Sequence, residues 1–327
     1  MIEAATVLPA SATHLLANFA QFVFLLALAP LAEGILTKLE ERIQGKQGPS
    51  IFQIYRDIRK LLHKEERVSR RSTWLFRFAP VIGFAMPLFV VLLVPALTTF
   101  PLTFAFMGDM VAAGFFLALA GFFGALAAMD TGNPYGPIGA SRSRMVGFMV
   151  EPVFMMVFFS VSYAANSTIP YIVNQQWVAH GWASFLDPSH VLVMVAFVLI
   201  ILADEARIPV DSPSGHVEIA MISHSKGLEY SGRGAALMKW GSAMKLMLLT
   251  MIFVNVLVAP YGLADHVSVS ALAVAALWVF LKVLAFLVVL AGIEMSLAKL
   301  RLFRISEFVG AAFVICLLAM TLRLVTV

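Results

Sequence analysis

Charged residues and cysteine are scarce in this sequence. Only 13% of the 327 residues are charged and 61% are hydrophobic, whereas soluble domains contain about 25% charged and about 45–50% apolar residues. So few charges cannot cover the surface of a water-soluble globule of this length. The single cysteine, Cys316, can form neither an internal disulfide nor a thiolate metal cluster. We therefore expect a protein covered by a lipid bilayer, with no cofactor of its own and no nucleic-acid partner.

Long stretches without charge predict transmembrane helices. No charged residue lies between Glu3 and Glu33, or between Arg77 and Asp109. A helix needs about 20 apolar residues to cross the hydrocarbon core, where every backbone polar group must be paired within the protein. We predict an all-α polytopic membrane protein with one transmembrane domain, residues 1–327, and eight spans at about 14–36, 76–99, 108–129, 145–167, 188–206, 241–263, 270–295 and 304–325.

The basic residues predict the orientation of these spans. Of the 23 lysines and arginines, all but Lys245, Lys282 and Arg323 lie in alternate predicted loops. Loops that retain positive charge face the cytoplasm. The loops 37–75 and 204–240 are therefore predicted to be cytoplasmic, and both termini are predicted to lie outside.

One cytoplasmic loop contains an amphipathic segment at about 50–64. Its apolar residues recur at three- and four-residue spacing, and Arg56 and Asp57 fall on the opposite face. This pattern is typical of a helix that lies along the membrane interface. Two interpretations remain open, a surface helix that binds anionic lipid and a docking platform for a soluble partner.

Ionisable residues within or at the edge of a span are costly and mark candidate functional sites. Glu151 precedes a proline, which leaves a backbone carbonyl without its helical partner. Glu151 is thus either a proton carrier or one half of a structural ion pair with Lys245 or Lys282. The full set of such residues is Glu33, Asp130, Glu151, Lys245, Lys282 and Glu294.

Several ordered motifs resemble those of a known family. Residues 41–49 read ERIQGKQGP and residues 55–62 read YRDIRKLL, which is similar to the sequence after the first helix in the complex I subunit 1 family. The motifs DTGNP, IGASR, VEP, LEYSG, MKWG and AKLRL follow in order from residue 130 to residue 302, and they look like the version in the membrane subunits of formate hydrogenlyase and hydrogenase-4.

The resemblance implies a set of site residues. Positions implied for proton transfer and coupling, taken with the intramembrane lysines, are Glu151, Asp204, Arg207, Asp211, His216, Glu218, Lys245 and Lys282. Positions implied for a chamber or for docking are Arg42, Arg56, Asp57, Asp130, Arg142, Glu229 and Tyr230. Relatives usually carry three acids at alternating positions in the second cytoplasmic loop. Here Ser214 and His216 occupy the first two, which makes His216 a titrating substitute in this hypothesis.

The resemblance also implies a function. The chain resembles a non-redox, membrane-anchoring subunit in the bacterial inner membrane, which links electron transfer in a peripheral arm to proton translocation by antiporter-like membrane subunits. A [NiFe] centre and iron–sulfur clusters would belong to partners, namely hydrogenase-like large and small subunits and an iron–sulfur subunit. Three alternatives stay open: a quinone-chamber subunit of a quinone reductase, a stand-alone ion transporter and a passive anchor.

Overall fold

The computed structural model describes residues 12–69, 71–100, 108–181, 185–211, 222–266 and 268–326. These residues form eleven α-helices and, apart from one isolated bridge between Thr98 and Ala264, no β-structure. The helices are α1 (Ala12–Ile43), α2 (Gln53–Leu62), α3 (Trp74–Val91), α4 (Met110–Met129), α5 (Tyr135–Ala165), α6 (Pro170–His180), α7 (Pro188–Asp204), α8 (Ser223–Gly227), α9 (Gly232–Met251), α10 (Val269–Ser296) and α11 (Ile305–Thr326).

Seven of these helices are long and apolar enough to cross a membrane, namely α1, α3, α4, α5, α9, α10 and α11 with their short extensions. The remaining predicted span, 188–206, corresponds to α7, which is apolar but has only 17 residues. At 1.5 Å per residue it is about 25 Å long, slightly less than the hydrocarbon thickness of about 30 Å. The prediction of an all-α polytopic membrane protein is confirmed, with seven helices of full spanning length and a shorter one.

Short α7 begins and ends at polar residues. The Asp187 side chain caps its first turn by accepting from the Ser189 amide, and Pro188 occupies the first helical position. Its apolar residues pack against α5 and α11, where Ile200, Ile201 and Leu202 are fully buried. The carboxyl end of α7 therefore brings Asp204 into the interior of the bundle.

Helix α9 lies at the centre and packs against α1, α2 and α3. A Cβ atom on Gly241 would lie 2.7 Å from the carbonyl oxygen of Gly83 on α3. Small residues permit such close helix contacts in membranes. The helix continues as a π-helical segment, Ile252–Val258, whose wider turn leaves carbonyl oxygens for partners outside the helix.

Helix α2 has the amphipathic character that the sequence predicts. Ile54 and Ile58 are buried, and the helix packs against α1 and α9. Arg56, Arg59 and Lys60 are exposed on its other face. The helix is three residues shorter at its start than the predicted segment, since residues 50–52 form a turn after Pro49.

Candidate functional site

A cavity of about 230 Å³ lies inside the helix bundle, between α3, α4, α5, α8, α9 and the end of α7. Much of its wall consists of small residues on α3, α4 and α9, which leave the space open: Ala79, Gly83, Ala118, Gly121, Gly124 and Gly241. Its charged lining is Arg144, Glu151, Asp204, Glu205, Lys226 and Lys245. We call this space the charged cavity.

Glu151 and its partner lie on the same helix, α5. Its Oε1 accepts a hydrogen bond from Nη2 of Arg144 at 3.0 Å, and both side chains are about one-third exposed. Residues seven apart lie about two helical turns apart on one face. The guanidinium of Arg144 also lies over the ring of Phe122, 5.8 Å from its centroid. The ion pair proposed for Glu151 with Lys245 or Lys282 is thus made with Arg144 instead.

Asp204 and Lys245 form the second ion pair of the charged cavity. Nζ of Lys245, on α9, lies 2.9 Å from Oδ2 of Asp204 and donates to the Asp204 carbonyl oxygen at 2.9 Å. Oε1 of Glu205 lies 3.8 Å from the same ammonium. The next residue, Ala206, adopts a left-handed φ of 49°, a backbone conformation that costs a non-glycine residue about 1–2 kcal/mol.

Arg207 belongs to a separate buried cluster. Its Nη1 donates to Oε1 of Glu40 at 2.8 Å and to Oε1 of Glu294 at 3.4 Å. Both carboxylates are almost completely buried, and Glu33 on α1 lies nearby. Glu205 at the end of α7 also acts on it, so four carboxylates surround one guanidinium between α1, α10 and the chain after α7.

Asp211 joins two distant parts of the chain. Its Oδ2 accepts hydrogen bonds from the amides of Ile222 and Ser223, and its Oδ1 lies 3.1 Å from Nζ of Lys299. The side chain is almost fully buried. These contacts join Asp211 to the start of α8 and to the chain after α10. His216 and Glu218, which the sequence singles out, lie in the segment 212–221 and fall outside the described residues.

Among the predicted docking residues, Asp57 connects α2 to α9. Its Oδ2 lies 2.5 Å from Nζ of Lys239, and its Oδ1 accepts from Gln53. Burial alone would raise the pKa of the Asp57 carboxyl, but the hydrogen bond and charge of Lys239 outweigh burial and lower the pKa below its ordinary value. Arg42 and Arg56 are exposed to solvent.

The other predicted docking residues hold loops together. Asp130 accepts from the amide and the hydroxyl of Thr73 at 2.5 and 2.9 Å. Glu229 accepts from Asn133 at 2.7 Å. Tyr230 donates to the carbonyl of Phe76 at 3.1 Å and stacks on its ring, and burial raises the pKa of its phenol. Arg142 is half-buried on α5.

Lys282 does not line the charged cavity. Its ammonium donates to the carbonyl oxygens of Ala259 and Tyr261, and it lies 3.4 Å from Oδ1 of Asn255. Asn255 in turn donates to the carbonyls of Pro95 and Ala96. This lysine pairs with two backbone oxygens in the turn that follows the π-helical segment.

Comparison with known proteins assigns the family. Residues 16–325 match the model of the NADH dehydrogenase family. The chain belongs to the complex I subunit 1 family. Within the described part of this family member, no group of three or more His, Cys, Asp or Glu side chains is arranged to hold a metal ion.

Curated relatives of this complex I subunit 1 family member cover most of its length. It is 33% identical to hydrogenase-4 component C of Escherichia coli (strain K12), over 92% of this chain and 93% of the relative. It is 31% identical to formate hydrogenlyase subunit 4 of the same organism, over 86% and 90%. A NADH-quinone oxidoreductase subunit from Bacillus thuringiensis (strain Al Hakam) is 30% identical over 71% of each chain.

A solved structure shares the fold of this family member. A chain in the membrane-bound sulfane sulfur reductase, an archaeal respiratory membrane complex, superposes with a TM-score of 0.77 over 94% of this chain and 99% of that one. The two sequences are 18% identical, so this likeness concerns the fold alone.

Sequence reasoning did not include several charged residues of these sites, among them Arg144, Glu205, Lys226 and Glu40. A signal existed for two of them. Arg144 lies seven residues before Glu151, and Glu40 lies seven residues after Glu33, so each pair falls on one helix face. Glu205 and Lys226 offered no such spacing, since they meet at the cavity only through the packing of α7 and α8 against α5 and α9.

Proposed function

We propose that this protein is the membrane-anchoring and energy-coupling subunit of a hydrogenase-4-like or formate hydrogenlyase-like complex, where it links electron transfer to proton translocation. The observation that carries the proposal is the charged cavity. Glu151, Asp204 and Lys245, which the sequence motifs single out, line one space inside the bundle together with Arg144, Glu205 and Lys226.

Charged side chains inside a membrane protein are costly to desolvate and mark candidate functional sites. A cavity of about 230 Å³ has room for several water molecules, since one water needs about 10–15 Å³. Water between the carboxylates Glu151 and Asp204 would carry protons between them. Changes in charge at the cytoplasmic end of the bundle would then alter which carboxylate holds the proton.

The remaining parts of the proposal follow from family membership and charge distribution. The cytoplasmic loops bind a peripheral arm through Arg42, Arg56 and the segment that contains His216 and Glu218. The [NiFe] centre and iron–sulfur clusters belong to partner subunits, and antiporter-like subunits bind at the side. The protein lies in the bacterial inner membrane with both termini in the periplasm, as its basic loops indicate.

Proton translocation per hydrogen turned over, measured in inverted membrane vesicles that contain the whole complex, tests this proposal. Glu151→Gln and Asp204→Asn should each lower this ratio by about tenfold while the complex still assembles, because each replaces a carboxylate, which can accept a proton, with an amide. Glu307→Gln is a matched control, since Glu307 is exposed on α11 and lies outside the charged cavity. Unchanged ratios in both cavity variants would overturn the proposal.

A quinone-reducing complex is the second candidate, supported by the 30% identity to a component of a NADH-quinone oxidoreductase. Photo-crosslinking of the complex with a quinone analogue distinguishes the two. Labelling of α1 or of the loop 37–75 supports a quinone site, and labelling of neither supports the hydrogenase-type function.

A further inference from the structure

Lys226 on α8 differs from the other two cations of the charged cavity. Arg144 is paired with Glu151, and Lys245 is paired with Asp204. Lys226 instead donates to the hydroxyl of Ser143 at 2.7 Å, and it forms no ion pair with a carboxylate of the described residues. Among the described residues its direct partner is therefore a neutral hydroxyl, which favours the charged form of the ammonium less than a carboxylate would.

Glu205 is the matching acid across the same cavity. Its side chain is only 5% exposed, and its Oε1 accepts no hydrogen bond from the described residues. The nearest ammonium, that of Lys245 at 3.8 Å, already lies 2.9 Å from Asp204. A buried oxygen without a donor is costly, and a proton or a water would relieve that cost. The guanidinium of Arg207 also acts on Glu205. Among the described residues, Lys226 and Glu205 thus lack the ion pairs at about 3 Å that Arg144 with Glu151 and Lys245 with Asp204 form.

In the described part of the chain, four charged groups act on Lys226 from the elements around it. Arg144 on α5 and Lys245 on α9 are positive, whereas Asp204 at the end of α7 and Asp211 in the following loop are negative. Arginine does not release its proton in proteins. The ion pair with Asp204 favours the charged form of Lys245. Lys226 is therefore the cation of the cavity that releases a proton most easily.

We propose that Lys226 takes up and releases the translocated proton in the charged cavity and exchanges it with Glu205 through water. This inference rests on the proposed coupling function and names a proton carrier for it. In the transfer an N–H bond of the Lys226 ammonium breaks and an O–H bond forms on the Glu205 carboxylate, so a cation and an anion become a neutral amine and a neutral acid. The net charge of the cavity does not change, which avoids the cost of an isolated buried charge.

The titration behaviour of the amine agrees with this geometry. Burial, together with the positive charges of Lys245 and Arg144, lowers the pKa of Lys226 to about 8. A group with such a pKa is mostly protonated near neutral pH and loses its proton in mildly alkaline solution. Coupling by the unmodified complex should consequently decline as the pH rises through about 8.

The test is the pH profile of protons translocated per turnover in inverted vesicles with the whole complex. Lys226→Met should lower the ratio at least twofold near neutral pH and remove its decline between about pH 7 and about pH 9. Lys226→Arg keeps the positive charge but cannot release a proton, so it should show the same loss. Glu205→Gln should lower the ratio to a similar extent, and Arg304→Met, at an exposed position outside the cavity, is the matched control.

The outcomes separate this inference from the function on which it rests. Full coupling in Lys226→Arg would show that only the charge of Lys226 matters and would overturn the inference. The inference would also be overturned if protons translocated per turnover still declined at alkaline pH in the Lys226→Met complex. If Glu151→Gln and Asp204→Asn abolish coupling while the Lys226 variants do not, the inference alone fails. Because Lys226→Arg preserves the charge and much of the length of the side chain, it keeps the test valid even where Lys226→Met reduces assembly of the complex.

Discussion

Nη1 of Arg207 lies 2.8 Å from Oε1 of Glu40, although the two residues are 167 positions apart in the chain. The same nitrogen lies 3.4 Å from Oε1 of Glu294, which is completely buried. One guanidinium thus compensates carboxylates on α1 and α10 and fixes the chain after α7 between them.

Removal of this guanidinium should destabilise the protein. Arg207→Gln leaves Glu40 and Glu294 buried without their cation, and breaking a buried ion pair in this way costs about 3–5 kcal/mol. We expect a lower melting temperature of the purified complex and less of this protein in the membrane. Arg301→Gln, at an exposed position, should leave both unchanged. An Arg207→Gln complex as stable as the wild type would contradict the role of this cluster.

A pair of glycine substitutions separates backbone strain from steric contact. Gly232, at the start of α9, has a φ of 55°, and a Cβ there would lie 2.8 Å from backbone atoms of Lys64, Glu65 and Glu66. Gly45 has a φ of 75°, and a Cβ there would meet no atom within 4 Å.

Gly45→Ala should therefore cost only the strain of a left-handed residue, about 1–2 kcal/mol. Gly232→Ala should cost a further ~1–3 kcal/mol, because the loop before α3 must move away. Melting temperatures of the two purified complexes measure the difference. Equal decreases in melting temperature for the two variants would mean that residues 64–66 move away from the new Cβ without a loss of stability.

Lys282 should contribute to stability through the π-helical segment. Lys282→Met leaves the carbonyls of Ala259 and Tyr261 without their donor, at a cost of about 1–3 kcal/mol for a buried unsatisfied group. The expected result is a lower melting temperature, measured on the purified complex. If Lys282→Met instead abolishes proton translocation and leaves the melting temperature unchanged, Lys282 takes part in proton coupling, as the sequence predicts.

The ion pair between Asp57 and Lys239 should give a pH-dependent contribution to stability. The pKa of Asp57 is lowered in the folded protein, so the contribution is present above the unfolded pKa and is lost as the pH falls through the folded value. Both side chains are about one-third exposed, which limits the contribution to about 1 kcal/mol or less.

The melting temperature of the complex with Asp57→Asn, compared with the wild type between about pH 7 and about pH 3, measures this contribution. The difference in melting temperature should be largest near pH 7 and should shrink below about pH 4. In a Lys239→Met background the Asp57→Asn substitution should have little effect. A difference that grows on acidification would contradict the assignment.

Properties that depend on local sequence were predictable here. Charge-free stretches of about 20 residues identified the helices of the bundle, because the cost of placing charge in lipid applies to each segment separately. The repeating isoleucines of α2 identified its buried face in the same way. The ordered motifs identified the family, which the match over residues 16–325 confirms. The short α7 was harder to distinguish from a full span, because its whole length is apolar up to Asp204 and only its 17 residues set it apart.

Side-chain partners depended on the tertiary structure. The spacing of Arg144 and Glu151 already places both on one face of α5, but Asp204, the partner of Lys245, follows only from where α7 ends in the packed bundle. The charged cavity exists because small residues on α3, α4 and α9 face one another, and that arrangement arises only when the helices pack. Hydropathy is a property of each segment alone. The distance between two charges on different helices is a property of the packed bundle, and the meeting of Lys226 and Glu205 at that cavity belongs to this second kind.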